Sequence, residues 1–114
     1  MTKTPQKWLF DIIGYGELIR GYLDEMPDFM AYTSDNKTKL AVERCLEIVG
    51  EACHKLRKNY QIILSFSDRT YNFRGSLIHQ YDEIKDQTIY QFALNDIPVL
   101  VREAKELMDT YEDD

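Results

Sequence analysis

The sequence predicts an all-α fold: an antiparallel bundle of four to five helices whose last helix is kinked at Pro98. Two observations predict it. Apolar residues recur at steps of three and four in three separate stretches, the period of one face of an α-helix. The apolar run Ile62-Ile63-Leu64 resembles a strand, but no second strand is available to pair with it. Short connections between periodic stretches complete the picture of a bundle. At 114 residues the chain suits one modest core, so residues 1–114 are expected to form a single helical domain.

The first helix begins near Pro5, a residue suited to a first helical turn. Trp8, Ile12, Tyr15, Ile19, Tyr22 and Met26 form its apolar stripe, and Pro27 ends it or starts the next short piece. Gly14, Gly16 and Gly21 weaken it, each by about 1 kcal/mol relative to alanine. No strand precedes Gly14-Tyr15-Gly16, so this is not a phosphate loop, and close helix packing is the better explanation. Pro27 to Tyr32 forms a short helical or turn segment with Phe29 and Met30 to bury.

The capping run Thr33-Ser34-Asp35-Asn36 opens the central helix, which continues to about Lys58. Its stripe (Ala41, Cys45, Ile48 or Val49, Ala52, Leu56) is widened by Val42, Leu46 and Cys53, as suits a helix packed on two neighbours. Asn59 to Ser67 is a connector whose Tyr60, Ile62, Ile63, Leu64 and Phe66 tuck against the core. Ser67 or Asp68 caps the next helix, and Asp82 to Lys85 makes a charged turn after it. Asp86 then caps the last helix, where Ile89, Ala93, Ile97, Leu100, Ala104, Leu107 and Tyr111 hold the period. Pro98 lies inside that pattern and bends the helix or splits it in two.

Charge narrows the function classes. A net charge of −6 argues against broad, sequence-independent nucleic-acid binding. Yet His54 to His79 holds five basic residues against Asp68 alone, while Glu103 to Asp114 holds six acids against Lys105 alone. A basic middle fits a local anion site or, equally, a solvated helix face. Cys45 and Cys53 stand eight residues apart, about 12 Å along a helix axis, too far for a disulfide within it. They read as small core residues, and no His/Cys spacing suggests a metal. The N-terminus carries no apolar leader core and no run reaches the length of a membrane span, so a cytoplasmic location without membrane attachment is expected.

Asp68 to Ile84 carries the chemistry. It places Arg74, His79 and Tyr81 within eight residues: a phosphate-binding guanidinium, a proton-moving imidazole and a phenol that can accept a group. On an unbroken helix Arg74 and Tyr81 share a face, whereas His79 lies about 140° round from Arg74. Either the helix ends near His79, or two copies of the chain share the site across a twofold axis. Arg and His without a metal-binding cluster fit metal-independent RNA cleavage. His79 would move the proton of a ribose 2′-hydroxyl or of the leaving 5′-oxygen, and Arg74 would stabilise the charge on the phosphorane. The structural alternatives are a surface ion-pair arginine, a satisfied helix-end histidine and a core-edge tyrosine. Among other candidates, Arg69 reads as phosphate-contacting or solvated, Glu51 as a partner of Arg74 or of another basic residue near the site, or as an exposed carboxylate, and His54 as a helix-end histidine.

Arg74-x4-His79-x-Tyr81 resembles the RX4HXY motif of HepT-type toxins in the HEPN superfamily. Ala41 to Ala52, ending Gly50-Glu51-Ala52, is similar to that family's central-helix signature, and Asn95-Asp96-Ile97-Pro98-Val99-Leu100 to its last helix with an internal proline. The resemblance implies an HEPN-like bundle that dimerises, gathers both motifs at the interface and cleaves RNA without a cofactor. It implies a small MntA-type nucleotidyltransferase antitoxin as partner, which transfers AMP onto the motif tyrosine, here Tyr81. Such a nucleotide would set bulk and negative charge beside Arg74 and repel RNA phosphate. One departure stands out: many members carry a polar residue, commonly asparagine, after the motif arginine, where this chain has Gly75. Asn72, two residues before Arg74, is the candidate to replace it. A type VII toxin–antitoxin ribonuclease is therefore one expectation; a catalytically silent helical partner of a nucleotidyltransferase is the other, favoured by Gly75 and the acidic balance.

Overall fold

Pro5 opens α1 (Pro5–Asp24), where its missing N–H costs nothing. The computed structural model describes residues 4–76 and 82–112; for residues 74–76, 82–84 and 112 it describes the backbone alone. The buried line of α1 runs through Leu9, Ile12, Gly16, Ile19 and Leu23. Trp8, Tyr15 and Tyr22, expected at its centre, flank it half-buried, packed against the core. Of the three α1 glycines only Gly16 serves close packing: a Cβ there would collide with a methyl of Val101, whereas Gly14 and Gly21 face open space.

Asp28 accepts the Ala31 N–H (2.9 Å) and starts α2 (Phe29–Ser34), one short turn that buries Tyr32 completely. Met30, expected to bury, is 67% exposed. Asp35 accepts the Thr38 N–H (3.1 Å) and starts α3 (Asn36–Tyr60), within the predicted capping run. The helix ends two residues beyond the predicted boundary, with Gln61 in the left-handed region at φ 57°. Val42, Cys45, Leu46, Val49, Ala52, Cys53 and Leu56 bury the wide stripe, both cysteines as free thiols.

Residues 61–64 adopt no strand, and the connector tucks in only partly. Leu64 is buried and Tyr60 and Ile62 pack on the core, but Ile63 is 71% exposed. After the connector comes α4 (Ser67–Ser76), then α5 (Asp82–Asn95) and α6 (Ile97–Glu112). Asp82 to Lys85 is thus the first turn of α5 and not a free turn. Asp86 is no cap. It is buried inside α5, where it accepts from Thr33 Oγ1 (2.5 Å) and pairs with Lys39 Nζ (2.9 Å). That carboxylate fastens α5 to α2 and α3, and burial is tolerable because it is both paired and hydrogen-bonded.

The last helix splits as expected. Pro98 is the second residue of α6, where its ring would clash with a preceding carbonyl if the helix ran through, so the break falls at Asp96. Taking α5 and α6 as one bent helix gives a five-helix all-α bundle. One apolar cluster joins α1, α3 and α6 with contributions from the other helices. Among the described residues no helix is long and apolar enough to cross a membrane.

Candidate functional site

The site is organised by how α4 lies on α3. Ser67 and Thr70 are buried on the edge of α4 turned to α3. Opposite them α3 offers Gly50: a Cβ there would stand 2.7 Å from the Thr70 carbonyl oxygen and 3.0 Å from the Tyr71 Cα. The missing side chain lets the two backbones touch. Thr70 Oγ1 donates to the Phe66 carbonyl (2.6 Å), so its buried hydroxyl is satisfied locally.

Four further contacts fix the helix. Phe73 is buried against Phe92 of α5, with ring centroids 4.5 Å apart. Arg57 of α3 donates to Asp68 (2.8 Å). Arg69 lies 5.1 Å over the Phe92 ring and reaches Asp96 at the α5–α6 break (3.4 Å). The connector is tied to α6 by Ser65, whose N–H and hydroxyl both donate to Glu103 (2.8 and 2.5 Å). Each exposed pair contributes little alone, but together they hold a ten-residue helix with almost no apolar face of its own.

Position 74 follows Ser67 and Thr70 at i+7 and i+4, so the backbone of α4 carries it on the edge turned to α3. Only that backbone is described for Arg74, and His79 and Tyr81 lie outside the described residues. Asn72 is exposed on α4. Glu51, next to Gly50, is half-buried, lies 3.9 Å from Lys55 and makes further contacts. It lines a cleft of about 380 Å³ between α1 and α3 together with Trp8, Arg44 and Glu47. Arg69 is occupied by Asp96 and Phe92, which places its guanidinium toward α5.

The pair that sequence reasoning missed is His54 and Tyr71. Their rings stack across the α3–α4 crossing with centroids 4.1 Å apart and planes 10° from parallel. No local signal announces it, because the two residues meet only through the close approach at Gly50. The cysteines offer no competing nucleophile: burial pushes the Cys53 thiol up to about 12, with Ser67 as a weaker opposing hydrogen bond, and burial raises Cys45 against the opposing charge of Arg44. Among the described residues no cluster of His, Cys, Asp and Glu has the makings of a metal site.

Comparison with known proteins places these features in context. The model of the family described as ribonuclease HepT-like matches residues 12–107. Two proteins of Methanocaldococcus jannaschii, named "Putative RNase MJ0125" and "Putative RNase MJ1216", are 31% and 30% identical to the chain. The matches cover 93% and 92% of the chain and 92% and 88% of those proteins. "Probable ribonuclease HepT" of Thermococcus cleftensis is 29% identical over 88% of the chain and 92% of its own length. No solved structure matches the chain.

Proposed function

The chain belongs to the HepT-like ribonuclease family, and on that premise we propose that it is the toxin of a type VII toxin–antitoxin pair. In this reading it is a homodimeric, metal-independent endoribonuclease, silenced by an MntA-like nucleotidyltransferase that transfers AMP to Tyr81. The observation that carries the proposal is the span of the family match: residues 12–107 include the whole motif from Arg74 to Tyr81.

The chemistry follows from the side chains. His79 takes the proton of a ribose 2′-hydroxyl, whose oxygen attacks the adjacent phosphorus; the 5′-oxygen leaves and gains a proton, and a 2′,3′-cyclic phosphate remains. Arg74 donates to the phosphorane oxygens as their charge grows. The clamps on α4 support this role, since they fix the backbone from which Arg74 departs. Glu51 is the proposed orienting partner of Arg74, because it follows Gly50, where α3 touches the helix that carries position 74. Asn72 is the proposed polar contact to RNA in place of the side chain that Gly75 lacks, and Arg69 contacts phosphate only by leaving Asp96. The twofold arrangement answers the angular separation of Arg74 and His79 by letting the motifs of two chains form one site.

Induced expression in a bacterial host tests this reading. The ribonuclease arrests growth, His79→Ala relieves the arrest, and a co-expressed partner nucleotidyltransferase relieves it for the native chain. Gly75 favours the second reading, a silent helical partner. In that case growth continues with either version at equal protein levels.

A further inference from the structure

The stacked His54 and Tyr71 have no role in the account so far. Neither belongs to the apolar core, and both are half-buried at the rim of the α3–α4 crossing. Their placement follows from Gly50. Because the backbones touch there, the side chain one turn later on α3, His54, meets the ring of Tyr71 at stacking distance. Tyr71 covers one face of the imidazole, and His54 keeps part of its surface exposed. An imidazole held flat by a second ring behind it loses little further freedom when a third ring stacks on it.

The surroundings suit an anionic polymer. Lys55, Arg57 and Lys58 follow His54 on α3; Lys55 lies 3.9 Å from Glu51 and Arg57 holds Asp68, while Lys58 is exposed. Tyr71 lies three residues before position 74 on the same helix, about 4.5 Å along the axis of the α4 backbone. A ring stacked on His54 and a phosphate held at Arg74 are thus within reach of one another along a single strand. Resting on the ribonuclease reading above, we propose that His54, backed by Tyr71, is a base-stacking subsite that seats an unpaired nucleobase beside the cleaved phosphate. A base can reach it only when splayed out of a helix, so the substrate class is single-stranded RNA or the loops of folded RNA. Stacking is tolerant of base identity, so the subsite selects for unpaired structure more than for sequence.

The test measures binding with the full chain carrying His79→Ala, so that RNA stays intact. The probes are a short single-stranded RNA of mixed sequence and the same RNA made abasic. Adding His54→Ala weakens binding of the normal RNA by about 5- to 150-fold, the range for losing one base–aromatic stack. It leaves the abasic RNA unaffected, and His54→Phe restores the preference for the normal RNA. Equal affinity for the normal RNA across all three chains overturns the subsite. So does equal weakening toward both RNAs, which would mark a general loss of charge or packing. If the parent binds RNA and only the His54 series is flat, stacking alone falls. If the parent binds neither RNA and the native chain cleaves none, the ribonuclease reading falls and takes the subsite with it.

Discussion

Gly50 of α3 and Thr70 of α4 stand so close that a Cβ on Gly50 would lie 2.7 Å from the Thr70 carbonyl oxygen. The obstacle is backbone and cannot swing away as a flexible side chain would. That contact sets the separation of the two helices, the height of position 74 above α3 and the meeting of His54 with Tyr71.

Gly50→Ala is therefore expected to destabilise the protein by about 1–3 kcal/mol, the cost of overpacking a tight contact, despite alanine's better helix propensity. Gly21→Ala, where a Cβ meets nothing, is expected to stabilise by about 0.5–1 kcal/mol. Denaturant titration of both variants checks the contrast. Equal effects would show that helix propensity alone governs these positions.

Asp86→Ala removes the acceptor shared by Lys39 and Thr33 and strands a largely buried ammonium, with the Lys39 side chain 18% exposed. The expected loss is about 3 kcal/mol. Adding Lys39→Met to Asp86→Ala recovers much of it, because the unpaired charge is then gone. A loss under about 0.5 kcal/mol would mean that the pair behaves as a surface bridge.

The buried Cys53 gives a pH dependence with a definite sign. Its thiol is held up at about 12 in the folded protein, against 9.0 for an unperturbed thiol. Between these values the unfolded chain releases the proton while the folded chain keeps it, so the unfolded state gains as pH rises. Stability contributed by the neutral thiol is complete below pH 9.0 and is lost progressively toward pH 12. Tyr32, raised mainly by burial and further by Glu43 and Asp86, acts in the same direction. Cys53→Ala should flatten the fall in denaturation midpoint across this window, and an unchanged slope would refute the assignment.

Much of the bundle is legible in the sequence because helical period survives wherever a face is buried. The α3 stripe, the Pro98 break and the capping Asp35 all follow from local rules. What escaped depends on distant partners. Asp86 reads as a cap until Thr33 and Lys39, 53 and 47 residues away, bring it a donor and a cation. His54 and Tyr71 look like a helix-end histidine and a packing tyrosine until Gly50 brings their helices together. In α1 Ile12 and Ile19 are buried as their period implies, whereas Trp8, Tyr15 and Tyr22 settle at the flanks and Leu9, Gly16 and Leu23 take their places at the centre. Arg74, His79 and Tyr81 were picked out by residue type and by resemblance. Of these three residues only the Arg74 backbone is described.

Tyr81→Phe lacks the phenolic oxygen that would accept a nucleotide. Incubation of the native chain with ATP and its partner nucleotidyltransferase should add AMP, read as an intact-mass increase, while Tyr81→Phe gains nothing and stays active in the partner's presence. Mass addition to the Phe variant would move the acceptor elsewhere.

The central claim is that Arg74 and His79 cleave RNA without a metal. Purified chain, shown by intact mass to carry no AMP, is incubated with tRNA in EDTA beside Arg74→Ala and His79→Ala proteins of confirmed fold. The account predicts cleavage by the native chain and a loss of at least about 100-fold in each variant, the lower range for removing a proton-transfer or charge-stabilising group. Cleavage that persists in both variants, or that disappears from all three in EDTA and returns with a divalent metal, would contradict it.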